Sequence, residues 1–72
     1  NNFLSLNLSL PSTQDVSFVL YNNLGEELCR IDRSNYTVGS EIFDLRFLNI
    51  GMYYIKAITP TIELSNKFII VR

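Results

Sequence analysis

Apolar and polar residues alternate along most of the chain, the period expected of strands with one face turned inward. Leu4, Leu6, Leu8 and Leu10 are separated by Ser5, Asn7 and Ser9, which puts four leucines on one face of a first strand. Pro11-Ser12-Thr13 should end it, because Pro has no N–H to give to a ladder. Val16 to Tyr21 reads as a second strand, with Val16, Phe18 and Leu20 inward. Asn22-Asn23-Leu24-Gly25 is a tight-turn signal, since Gly, and Asn less readily, accept the positive φ that such turns require. Leu28, Cys29 and Ile31 continue into a third strand. Residues 32–40 read as a long connection with a short strand around Tyr36–Val38. Ile42 to Phe47 form the next strand, with Phe43, Leu45 and Phe47 on one side. A bend at Asn49-Ile50-Gly51 leads into Met52–Ile58, Thr59-Pro60-Thr61 turns the chain back, and Lys67–Arg72 is the last strand. No segment keeps a helical period. Short strands at this spacing predict an all-β fold, an antiparallel β-sandwich of six to seven strands.

Composition changes this picture little, but it narrows the chemistry. At 72 residues, with 47% hydrophobic and 18% charged, residues 1–72 are expected to fold as a single domain. Seven acidic against six basic residues argue against a nucleic-acid partner bound through a basic face. No apolar run is long enough for a membrane span, and no secretory signal peptide is visible. The first residue is Asn rather than Met, so the chain reads as a piece of something longer. With no His, Ser–His–Asp, Cys–His and His-based zinc sites cannot be built from this chain alone. Cys29 is the only cysteine and cannot close an internal disulfide. Its bland role is that of a small buried hydrophobe. The acids, Glu41 among them, are scattered without calcium-loop spacing and read as solvated surface. Asn7 and Asn35 open formal glycosylation triplets, which read as incidental. No catalytic, cofactor or metal-binding residue is expected, and nothing in the sequence supports an enzyme.

Three segments together resemble a known family. Val16-Ser17-Phe18-Val19-Leu20-Tyr21-Asn22-Asn23-Leu24-Gly25-Glu26-Glu27-Leu28 is similar to the first motif of the C-terminal sorting domains of the type IX (Por) secretion system. That motif is a strand ending in Tyr-Asn, followed by a Gly turn. Phe43 to Ala57, containing Gly51-Met52-Tyr53, resembles the second motif, and Lys67-Phe68-Ile69-Ile70-Val71-Arg72 resembles the terminal one. The similarity spans roughly residues 4–72. Many members of the family open with Asn-Pro shortly before the first strand, whereas Asn1-Asn2-Phe3 stands there in this sequence.

This resemblance implies an immunoglobulin-like (Ig-like) β-sandwich at the end of a larger secreted protein of Bacteroidota. It implies a non-catalytic address, read by protein–protein recognition, that takes an N-terminal cargo domain across the outer membrane. The implied partners are the type IX translocon components and a sortase-like peptidase, which usually removes the domain. The implied location is the periplasm in transit, then the cell surface or the extracellular space. The residues implied in translocon recognition are Lys67, Phe68, Ile69, Ile70, Val71 and Arg72. Gly25 is expected as a positive-φ turn residue, and Gly51 with Tyr53 as a bend capped by an aromatic that points inward with Ile55 and Ala57. For the terminal strand, the competing role is protective: Lys67 and Arg72 would be charged gatekeepers around four apolar residues. The alternative for the whole domain is a non-catalytic accessory module that binds carbohydrate or protein, or resembles the hook-capping Ig modules. Exposed aromatics on one face would favour its sugar-binding version.

Overall fold

The computed structural model describes residues 3–71. They form β1 (Phe3–Asn22), β2 (Glu27–Asp44), β3 (Gly51–Ile58) and β4 (Glu63–Ile70), in one antiparallel sheet of order β2-β1-β3-β4. The all-β, antiparallel expectation holds, and no helix occurs among the described residues. The strand number does not hold. Four strands replace the expected six to seven, because breaks expected near Pro11 and through residues 32–40 are bends within continuous strands.

Length alone shows that bending occurs. At about 3.3 Å per residue, a straight strand of β1's 20 residues would run roughly 66 Å, whereas the longest molecular axis is 38 Å. The bend lies where the register slips: Ser9 pairs with Val38, and the next pair is Gln14 with Tyr36. Residues 10–13 thus have no partner in β2, so Pro11 removes no ladder hydrogen bond from that pairing. Thr13 and Thr37 hydroxyls join across the bend at 2.6 Å, and Asn35, with φ of 54°, donates its N–H to Asp15 Oδ1 at 3.2 Å. Each long strand therefore has two arms: residues 3–9 pair with 38–44, and residues 14–21 pair with 27–36.

Inward side chains of both arms meet in one core. Val16, Phe18 and Leu20 are buried with Phe43, Leu45, Leu48, Tyr53, Ile55 and Ile70, and Leu4, Leu6 and Leu8 pack against them. Phe18 meets the Tyr36 ring edge-on, at 5.5 Å between centroids. Two expectations need correction, one drawn from alternation and one from the scatter of the acids. Phe47 is exposed, not inward with Phe43 and Leu45, because β2 ends at Asp44 and the chain then turns, Leu48 N–H donating to Leu45 O at 3.0 Å. Glu41 is buried rather than solvated. It takes the inward position opposite Leu6 and receives Arg33 Nη2 at 3.0 Å.

The first turn follows the reading of its residues. Gly25 has φ of 83°, and its N–H donates to Asn22 O at 3.1 Å. The Asn22 side chain holds the loop from inside, with Oδ1 accepting the N–H groups of Leu24 (2.9 Å) and Glu26 (3.0 Å). Open space surrounds the missing Cβ of Gly25, so a substitution there meets backbone strain and no clash. Gly25→Ala is expected to lower unfolding free energy by about 1 kcal/mol, the cost of a left-handed L-residue. Urea denaturation checks this, and an unchanged midpoint would remove the conformational role.

Candidate functional site

The segment singled out for recognition lies at the sheet's edge. β4 pairs only with β3, and among the described residues no Cα of β1 or β2 comes within 8 Å of it. Its free side therefore presents unpaired backbone groups at every second residue.

The six candidate recognition residues do not act as one set. Phe68 is half-buried against the core and stacks on Tyr53, 5.8 Å between centroids, while Ile70 is fully within the core. Lys67, Ile69 and Val71 are exposed. Arg72 lies outside the described residues, as do Asn1 and Asn2. On the outward face Lys67 stands opposite Tyr54, which stands opposite Tyr21, and Ile69 stands opposite Met52. The two tyrosines are half-buried, and Lys56 Nζ sits 5.3 Å from the Tyr21 ring centroid.

Charge separates Lys67 from its peers. Arg30 is paired with Glu27 and Asp32, Arg33 with Glu41, Arg46 with Asp44, and Lys56 with Glu63. Among the described cations Lys67 alone has no ion pair. The tightest of these contacts is Arg46 on Asp44, at 2.8 Å. Its hydrogen bonds, from side chain and backbone, pull the Asp44 carboxyl down to about 2, so that pair stays charged through the mildly acidic range.

At the C-terminal end of β4 an open cavity of about 350 Å³ is lined by Phe3, Leu4, Leu45, Phe68, Ile70 and Val71, with Ile69 at its rim. Arg46 lies over the Phe3 ring, 5.3 Å from its centroid. Sequence reading missed that the side chains of residues 3 and 4 line one cavity with the end of the terminal strand. Periodicity assigns faces within a strand but says nothing of which distant strands share an end.

The other singled-out residues have structural roles. Tyr53 points inward with Ile55 and the half-buried Ala57, and its hydroxyl donates to Asn49 O at 2.8 Å. Gly51 is the first residue of β3 and pairs with Ile70. Cys29 stands opposite Leu20 on the core side, half-buried rather than fully so, and burial pushes its thiol pKa up. That lowers its thiolate fraction, which disfavours a nucleophilic role. No group of His, Cys, Asp or Glu among the described residues could hold a metal ion. Among the described residues no helix is long and apolar enough to cross a membrane. No protein-family model, curated protein or solved structure matches the chain.

Proposed function

We propose that this chain is an Ig-like sorting domain of the type IX kind, recognised as a folded address by an export apparatus. The observation that carries the reading is the placement of the terminal motif on an open edge strand, with Lys67, Ile69 and Val71 turned to solvent. The first motif supports it through its role as a caged Asn-Gly turn, and the second through the inward Tyr53 under Phe68. Folding of the two β1–β2 arms onto one core supports the sandwich part of the proposal. The domain would act by surface complementarity and carry no chemistry of its own.

Export in a Bacteroidota host with a working type IX system tests this. Residues 1–72 are fused behind a periplasm-directed fluorescent protein, beside a Lys67→Glu/Ile69→Ser variant. Both substitutions are exposed and leave Phe68 and Ile70 in the core, so circular dichroism should show an unchanged fold. Surface or medium fluorescence is expected for the parent and should be mostly lost in the variant. Periplasmic retention of a folded parent would overturn the reading.

One observation favours the accessory-module reading, the adjacent outward pair Tyr21 and Tyr54. They line a shallow outer-face depression with Asn22, Asn23 and Lys56. Aromatic faces beside amides are the surface that sugars use. Retardation of the domain in polysaccharide-containing gels, lost in Tyr54→Ala, would favour it.

A further inference from the structure

We propose that β4 accepts an extended segment of a partner protein as a fifth strand, and that this segment brings a carboxylate opposite Lys67. The inference rests on the reading of β4 as the recognised strand and names the chemistry of what recognises it.

Three strand edges are open among the described residues, and they differ in charge: the outer side of β2, Leu4–Ser9 of β1, and the outer side of β4. On β2, Arg30 and Arg33 are already paired with carboxylates. Leu4–Ser9 of β1 pairs with β2 on one side only and carries no charged residue. β4 carries Lys67 near the middle of its exposed run, on the outward face between Ser65 and Ile69. A lysine at such a position ordinarily repels incoming strands. This one is also the single described cation with no intramolecular carboxylate. An acidic side chain directly across would stand about 5 Å away, Cβ to Cβ, and turn that repulsion into a cross-strand pair.

Flanking residues fix the rest of the pattern. Ile69, 63% exposed beside Met52, calls for an apolar partner on the outward face. Phe68 faces the other way, at the edge of the core, and calls for a second. An antiparallel segment therefore reads, from its N-terminus, apolar, apolar, acidic against Ile69, Phe68 and Lys67. Main-chain hydrogen bonds would supply affinity and these three positions the selectivity.

The test uses the isotope-labelled domain and three synthetic peptides, acetylated Thr-Val-Val-Glu-Thr-Val-Thr and its counterparts with Gln or Lys in place of Glu. The glutamate peptide is expected to shift amide resonances of Ser65–Ile70 and to bind roughly 3-fold more tightly than the glutamine peptide, the size of an exposed ion pair. The lysine peptide should be weakest. In Lys67→Glu the order should reverse, and that exposed substitution leaves the core untouched. Absence of binding by all three peptides would overturn the proposal. So would an unchanged order in Lys67→Glu, or shifts confined to Leu4–Ser9 or to β2. Export of the fusion without peptide binding would refute this inference alone; peptide binding without export would refute the sorting reading alone.

Discussion

Phe18→Ala is expected to leave the domain largely unfolded at room temperature. Phe18 is 1% exposed, sits on the central strand β1, and is flanked across the sheet by Ile31 and Ala57. Its ring fills the space between the two arms, against Tyr36 on one side and near Leu6, Leu8 and Ile55 on the other. Truncating a buried Phe costs about 3–5 kcal/mol through lost transfer energy and the residual cavity. A core of this size rarely supplies more than roughly 3–5 kcal/mol in total. The loss is thus comparable to the whole stability. The control is Phe47→Ala: Phe47 is 59% exposed, and the change should stay within about 0.5 kcal/mol. Urea titrations followed by far-ultraviolet circular dichroism measure both. A cooperative Phe18→Ala transition within about 1 kcal/mol of the parent would mean that the arms close over the gap.

The contrast between these two phenylalanines marks how far the sequence could be read. Period two predicted the inward set Val16, Phe18 and Leu20 correctly, because a strand hydrogen-bonded on both sides keeps strict alternation. The same rule failed at Phe47, three residues beyond the end of β2, where a turn resets the side-chain directions. Pro11 was legible as a residue that cannot serve a ladder. It was not legible as the apex of a bend, since a missing N–H fits a chain end and a bulge equally well. Gly25 was readable because its turn is local, closed entirely by Asn22 through Glu26. Gly39 was not. A Cβ there would lie 2.8 Å from the Tyr36 hydroxyl, a contact set by the fold of β2 on itself. The recognition strand divides in the same way. Alternation separates Phe68 and Ile70 from Lys67 and Ile69, but the openness of β4's outer side depends on sheet order, which no local pattern encodes.

Glu41 is the residue that the sequence hid most completely, and its partner carries the second large prediction. Arg33→Met is expected to cost about 2 kcal/mol. The pair is two-pronged, Arg33 Nη2 to Glu41 Oε1 at 3.0 Å and Nε to Oε2 at 3.3 Å. The Glu41 side chain is only 9% exposed, whereas that of Arg33 is 51% exposed. Removing one partner of a fully buried pair costs about 3–5 kcal/mol, because the other charge stays behind unpaired. Water reaching the Arg33 side of this pair reduces the figure. Glu41 lies in the arm paired with β1's first half and Arg33 in the arm paired with its second half, so the contact bridges the bend of β2. The decisive comparison is the double variant Arg33→Met/Glu41→Leu. With both charges gone and the inward position opposite Leu6 filled by an apolar side chain, no desolvated carboxylate remains. Its unfolding free energy from urea titration should return to within about 0.5 kcal/mol of the parent, recovering most of the roughly 2 kcal/mol lost in Arg33→Met. If the double variant were as unstable as Arg33→Met alone, the guanidinium would be holding the bend through its packing instead. If Arg33→Met cost nothing, solvent would already be satisfying Glu41, and closure of the bend would rest on Phe18, Tyr36 and the leucines of the first arm.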